Sequence, residues 1–307
     1  MKIGTVLINW NNGPDTGACI ASLKDGTTVP DHILVWDNGS HDGSAEWIRQ
    51  QHPDIELAGS RENIGFAAAN NRAAQILLGK GVEAVWILNN DTTVDRRCLE
   101  SLVDALSRHD DAGAVSGKIR YPEPANTLWY AGGDVRLISA TVVHRGKGET
   151  DSGQYDQESP VAFLSGCCML VPASVVERTG LFDPDYFAYY EDADLSLRMQ
   201  AAGLKLYYVP EAVLYHHVSG SITKNSVFRG RVSPFQHYLQ TRNRLYLLRR
   251  HVKPNTLRAV SLFRLIARSL LIAIVHFACG HLDKGRQIVR GLLHGMTGPV
   301  RLFSGGG

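Results

Sequence analysis

Short runs of apolar residues alternate with segments of helical period over the first 120 positions. Val6-Leu7-Ile8, His32 to Trp36 and Ala84 to Leu88 read as buried strands, and Ile55 to Ala58 as a shorter one. Between them, Asp15 to Leu23, Gly43 to Gln51, Ala67 to Leu78 and Arg97 to Ser107 read as helices, the second with Ser40 or Asp42 as its N-cap. Alternating strands and helices with apolar strands predict a parallel sheet covered on both faces. Right-handed crossovers make it doubly wound and Rossmann-like.

Beyond residue 120 the pattern changes. Pro122, Pro124 and Gly132-Gly133 punctuate β-rich connections, and the polar stretch Arg145 to Ser159 reads as a mobile loop. Val161 to Val171 is apolar and strand-like, Pro172-Ala173-Ser174 opens a helix through Thr179, Glu191 to Ala202 is helical, and Lys205 to Val209 is a strand. Phe235 to Val252 and Asn255 to Cys279 are helices. In the second, Arg264 and Arg268 share one stripe, with Leu262, Ile266, Leu270, Ala273 and Phe277 opposite, which makes it a basic amphipathic helix. It could pack as a core helix, but its lack of acids suits an interfacial membrane helix. No run reaches the roughly 20 apolar residues that span a bilayer. The closest, Ser269 to Gly280, is short and contains His276. The opening residues from Met1 to Ile8 read as a strand rather than a signal peptide.

Charge sharpens this division. Residues 1–211 carry 17 Lys and Arg against 29 Asp and Glu, whereas residues 212–307 carry 15 basic residues and one acid, Asp283. The basic part suits a polyanionic partner. An apolar stripe facing the arginines fits an anionic membrane better than a nucleic-acid groove, so no nucleic acid is expected. The ordinary composition, 44% hydrophobic and 20% charged, excludes disordered, collagen-like and disulfide-scaffold classes. Five cysteines without a CxxC pair fit a reducing compartment rather than a disulfide framework or zinc site, and Cys167 and Cys168, in an apolar run, read as buried thiols.

Three apolar strands run into polar clusters, Asn9-Trp10-Asn11-Asn12, Asp37-Asn38-Gly39-Ser40 and Asn89-Asn90-Asp91-Thr92. Sheets of this kind bind ligands at the carboxyl ends of their strands. Asp91 and the pair His216-His217 come from separate loops, and a carboxylate with an imidazole can hold a divalent ion that bridges a diphosphate. The plain alternatives are a helix N-cap for Asp91 and a satisfied core pair for the histidines. Glu191, Asp192 and Asp194 follow the aromatic run Tyr186 to Tyr190. Their mutual repulsion and the shedding of water raise a carboxylate pKa, as a general base requires. Acids also favour the first turn of any helix through its dipole, which accounts for one or two of the three.

Together with Asn63-Ile64-Gly65-Phe66-Ala67 and Asn70, Gly166 to Pro172, and Gly180-Leu181-Phe182-Asp183, these motifs resemble in order the family-2 inverting glycosyltransferases of GT-A fold, most of all the bacterial rhamnosyltransferase-like subgroup. The resemblance covers roughly residues 3 to 225. It implies an α/β fold with a mostly parallel sheet, helices on both faces and an added basic amphipathic helical region. It implies that Asn9, Trp10, Asn11, Asp37, Asn63, Gly65, Asn70, Asn90 and Asp91 hold the donor. Asp91 and His216, or His217 in its place, would hold a divalent metal, manganese or magnesium. Asp192 would be the catalytic base, with Glu191, Asp194, Arg198 and His217 as acceptor-side or supporting residues. Asn89 stands where the family pattern has its first metal-binding Asp.

The expected function is therefore metal-assisted transfer of a sugar, rhamnose favoured, from a nucleotide diphosphate-sugar to a hydroxyl of a glycan or polyprenyl-diphosphate-linked glycan. The expected location is cytoplasmic and peripheral on the inner face of the cell membrane. Residues 1–225 would form the catalytic domain and residues 226–307 a membrane- or acceptor-associating helical region. A non-catalytic binding module with a degenerate site is the alternative. A nucleotidylyltransferase would need a basic, glycine-rich loop after the first strand, where this chain has Asn9 to Pro14 without a cation.

Overall fold

The computed structural model describes residues 1–124, 126–217 and 232–298. In chain order the elements are β1 (Ile3–Asn9), α1 (Gly13–Lys24), β2 (His32–Asn38), α2 (Ser44–Gln51), β3 (Glu56–Ser60), α3 (Phe66–Gly79), β4 (Ala84–Asn89), β5 (Thr92–Val94), α4 (Cys98–Arg108) and β6 (Ala112–Arg120). There follow β7 (Leu128–Tyr130), β8 (Gly133–Arg136), β9 (Thr141–His144), β10 (Ser159–Val161), β11 (Cys168–Pro172), α5 (Ala173–Thr179), α6 (Glu191–Ala201) and β12 (Lys205–His216). The last described elements are α7 (Pro234–His251), α8 (Asn255–Ala278) and α9 (Leu282–Thr297).

The main sheet runs β10-β12-β6-β11-β4-β1-β2-β3, with β5 on β12 and β7 on β6. β1 is parallel to β2 and β4, and β2 to β3. The expected single strand from Val161 to Val171 is instead two, β10 and β11, and β11 lies antiparallel between β4 and β6. The sheet is thus mixed though mostly parallel. Its strands are apolar because both faces are covered: Val6, Leu34, Val85 and Ile87 pack with Ala73, Leu77, Leu195 and Met199 of the helices. Lys205 to Val209 and Ala212 to Tyr215 merge into one strand with a register shift between Val209 and Val213. At α2, Gly43 takes the cap position in a left-handed conformation, and the Asp42 carboxylate accepts the Ser44 N–H. Ser40 is used elsewhere, by Asp37.

The stretch expected to be a mobile loop is pinned. Lys118, buried on β6, donates to Asp151 and Asp156, and Arg120 adds a second cation on Asp151. Arg145 lies between the rings of Tyr155 and Tyr208, 5.2 Å from each centroid.

The chain forms two compact units. The first holds Met1–Asp134, His144–Phe187 and the stretch from Glu191 through β12. The second holds Val135–Val143, Ala188–Tyr190 and the C-terminal helices. The expected boundary at 225/226 lies outside the described residues.

In the second unit α9 crosses α7 at close range. A Cβ added at Gly291 would lie 2.7 Å from the Tyr238 carbonyl oxygen, and one at Gly295 2.5 Å from Leu245. α8 buries a narrow seam of Ser261, Leu265, Ser269 and Ala273. Its large apolar residues point outward: Phe263 is 73% exposed, and Leu270, Leu271, Ile274 and Phe277 are exposed as well. This corrects the two-sided reading, because Leu270 and Phe277 share the exposed side instead of lying with buried Ala273. Residues 263, 267, 270, 271 and 274 fall within about 100° on a helical wheel, a third face with Arg264 and Arg268 along one edge. It also corrects the length reading. α8 is 24 residues long, with an 18-residue window of mean hydropathy 1.8, long and apolar enough by composition to cross a membrane. The two arginines interrupt the apolar run without breaking the helix.

Candidate active site

Register builds the site. β1 and β2 align Asn9 with Asp37, and β1 and β4 align Ile8 with Asn89, so three polar clusters end side by side. A hydrogen-bond chain stitches them. Asn90 donates to the Thr16 hydroxyl at 2.8 Å, and Thr16 donates to Asn9 Oδ1 at 2.9 Å. Asn9 Nδ2 donates to Asp37 Oδ1 at 2.8 Å and to Ser44 at 2.9 Å. Asn9 is fully buried, so it orients its neighbours from below. Asn11 adopts φ 55°, donates its N–H to the Ser40 hydroxyl and accepts the His41 N–H on its side chain, and Trp10 beside it is 54% exposed at the rim.

The second wall is the start of α3. Asn63 Oδ1 accepts from Asn38 and from the Gly65 N–H. Gly65 has φ 88°, and a Cβ there would lie 2.6 Å from the Phe187 ring, so only glycine fits. Asn70 is buried, donates to the Phe66 carbonyl, and leaves Oδ1 without a partner.

β5 pairs with β12 so that His216 faces Thr92, next to Asp91. His216 Nε2 lies 3.1 Å from Asp91 Oδ1, and its buried Nδ1 has no partner. His217 turns the other way, to Thr93 at 3.2 Å, while its N–H bonds the Asp91 carbonyl. Of the two histidines, the structure brings His216 to the carboxylate. Among the described residues no three His, Cys, Asp or Glu side chains gather as a metal cage. One carboxylate and one imidazole still fit a magnesium- or manganese-like ion, because such ions take much of their shell from substrate phosphates and water.

Asp192 opens α6. Its Oδ2 accepts the Gly166 N–H at 3.1 Å and its Oδ1 the Ala193 N–H at 2.8 Å. Burial outweighs these bonds and pushes the carboxyl up to about 6. Glu191 is 6% exposed, and its Oε2 has no partner. Burial, then the Asp192 charge, push it well above the usual carboxylate range. Asp194 and Arg198 play another part. Arg198 donates to Asp194 at 2.7 Å and to the carbonyls of Thr179 and Leu181, clasping α6 to the end of α5.

Three residues beside Asp91 and His216 escaped the sequence reading. Trp129 meets His216 edge-on at 4.7 Å and His144 at 4.6 Å, with the Lys147 ammonium 5.6 Å from its ring centre. Burial, then the Lys147 charge, bring His144 down to about 4, so it is neutral. The signal available was Trp129-Tyr130 just before the Gly132-Gly133 turn.

The glycosyl transferase family 2 pattern matches residues 5–180. An N-acetylglucosaminyl-diphospho-decaprenol L-rhamnosyltransferase of Mycobacterium tuberculosis is 33% identical over 233 residues, 70% of this chain and 76% of that protein. A dTDP-rhamnosyl transferase, RfbF, of Shigella flexneri is 23% identical over 306 residues, 98% of each chain. The crystal structure of GalNAc-T7 with UDP, GalNAc and Mn2+ matches with TM-score 0.61 at 16% identity, over 81% of this chain and 48% of that one. The mannosyltransferase PcManGT of Pyrobaculum calidifontis, in complex with GDP-Man and Mn2+, matches with TM-score 0.56 at 16% identity, over 96% and 87%. These two show the GT-A-like fold. The chain belongs to glycosyl transferase family 2 and is a glycosyltransferase.

Proposed function

We propose that the enzyme transfers a sugar, rhamnose first, from a nucleoside diphosphate-sugar to a hydroxyl of a glycan or polyprenyl-diphosphate-linked glycan, with inversion. The observation that carries this reading is Asp192: a half-buried carboxylate at a helix start, held by the Gly166 and Ala193 N–H groups, with burial raising its pKa to about 6. The names of the mycobacterial and Shigella relatives support the rhamnosyl donor, and the mycobacterial name supports the lipid-linked acceptor.

Asp192 accepts the proton of the acceptor hydroxyl. The oxygen bonds to the anomeric carbon as the bond from that carbon to the diphosphate oxygen breaks on the opposite face, through an oxocarbenium-like transition state. Asn11, Asp37 and Trp10 hold the nucleoside, with Asn9 fixing Asp37 from below, and Asn63, Gly65 and Asn70 shape the floor. Asp91 and His216 would hold a manganese or magnesium ion, which when bound stabilises charge on the leaving diphosphate. Glu191, whose carboxyl is pushed well above the usual range by burial and the Asp192 charge, supports the base, and His217 anchors the loop of Asp91. The enzyme works at the cytoplasmic face of the membrane, where the exposed α8 face and the basic C-terminal region meet anionic lipid.

Calorimetry with uridine and thymidine diphosphates, with and without manganese, tests the donor site. Wild type binds at least one of them in a manganese-dependent way, and Asp91→Ala loses that dependence. Equal binding by Asp91→Ala with and without metal, matching wild type, removes the metal role. No binding of either nucleotide by folded wild type removes the donor reading.

A further inference from the structure

We infer that Asn243 is a positioning residue for the base, holding the strained turn from which the chain enters the helix bearing Asp192; this rests on the reading of Asp192 as base. Phe187, Tyr189 and Tyr190 have φ of 65°, 69° and 74°. Three bulky aromatic residues in the left-handed region within four positions are a strained segment, which persists only where its surroundings over-determine it.

The holding groups are visible. At the front, the Phe187 carbonyl accepts the Ala67 N–H at 3.1 Å, and the Phe187 N–H bonds Pro184. In the middle, Asn243 Nδ2 donates to the carbonyls of Ala188 at 2.8 Å and Tyr189 at 2.7 Å. Its Oδ1 accepts from Arg242 Nε at 2.9 Å, so the amide has one orientation that satisfies both ends. At the back, the Tyr190 hydroxyl donates to Ala140, whose carbonyl also accepts Arg244 Nε. Asp192 is the second residue beyond Tyr190.

Asn243 is fully buried in the middle of α7, where an amide is a poor helix former and a poor core residue. Two consecutive carbonyls aimed at one NH2 group explain its identity. Leucine would remove both of these bonds, and aspartate would set lone pairs against the two carbonyls. A shift of about 1 Å in a reacting group costs on the order of 100-fold in rate. The Gly166 N–H bond to Asp192, at 3.1 Å, would be lost on such a shift.

The test uses the full chain with Asn243→Asp and Asn243→Gln, read by amide hydrogen exchange, thymidine diphosphate affinity with manganese, and turnover. We expect Asn243→Asp to speed exchange at least tenfold across residues 186–194 while β1 and β4 stay protected. Turnover falls 10- to 100-fold with nucleotide affinity within threefold of wild type, and Asn243→Gln, which keeps the donors, recovers part of it. Unchanged exchange at 186–194 overturns the proposal, as does faster exchange throughout the chain, which makes Asn243 a general core residue. Turnover and nucleotide affinity falling together, or Asn243→Gln no better than Asn243→Asp, also overturn it. If wild type transfers from no donor, the base reading of Asp192 falls on that ground, and the exchange pattern alone decides whether Asn243 holds the turn.

Discussion

At the scale of single residues the sharpest consequence concerns Asp192. Its carboxyl is held up to about 6 by burial, and a base must be ionised to accept a proton. Turnover therefore rises with pH through about 6 and levels off above it. Asp192→Asn removes that limb and lowers turnover by ~10²–10⁴-fold, while thymidine or uridine diphosphate binding persists. The same shift has a stability consequence of definite sign. A carboxyl with a raised folded-state pKa contributes stability that is fully present below its unfolded value and lost as pH rises through the folded one. Asp192→Asn, neutral at every pH, therefore melts higher than wild type at pH 8, and the gap closes by pH 4. A constant gap, or a lower melting temperature at pH 8, contradicts the buried charge. Much of this was legible, since three acids after four aromatic residues announce a dry, crowded carboxylate. The identity of the histidine was not. His216 and His217 are adjacent, and only the alternation of β12 against β5 decides which side chain meets Asp91. Trp129 and His144 were illegible because they sit on strands of three and four residues, β7 and β9, too short to show a period.

At the scale of elements, apolar runs located β1, β2 and β4 and their polar ends, because a doubly covered strand has little choice of residue. The antiparallel insertion of β11 was hidden, since an apolar run carries no direction. The loop after β9 misled for another reason. Its polarity resembles solvated chain, yet Lys118 and Arg120 on β6 reach into it and neutralise Asp151, whose side chain is 2% exposed. Burial raises the Asp151 carboxyl, but the bonds from Arg120 and Lys118 outweigh it and hold the pKa below the usual carboxylate range. This stability is present above the unfolded pKa of Asp151 and lost as pH falls through the folded one. Asp151→Ala leaves the Lys118 ammonium buried with Asp156 as its remaining carboxylate, so we expect about 3 kcal/mol of destabilisation in urea unfolding. Loss of less than about 1 kcal/mol would show that Asp156 alone suffices and that the loop is held mainly by Arg145 and its tyrosines.

At the scale of the whole molecule, an acidic catalytic part and a basic helical part are joined in one chain, and the basic part exposes its largest apolar side chains. α8 turns serine and alanine inward and Phe263, Leu271 and Ile274 outward, the reverse of a helix that folds into a water-soluble core. Two occupants could cover such a face, a bilayer or a second copy. The charge favours the bilayer: Arg264 and Arg268 line one edge of the apolar strip, and two strongly basic C-terminal regions would repel each other across a dimer interface. Each basic residue near an anionic surface adds about 1 kcal/mol, and each large apolar side chain buried adds about 1.5–3 kcal/mol. The full chain should therefore float with vesicles containing anionic lipid and release as salt rises. Phe263→Glu with Ile274→Glu should weaken that binding at least about 100-fold, the loss expected from two apolar anchors, with the melting temperature unchanged because neither side chain is buried. Undiminished flotation of the double variant would move the contact to other residues. A lipid-free dimer that the same two charges dissociate would assign the face to a second copy, and the acceptor would then have to reach the site without a membrane-bound enzyme.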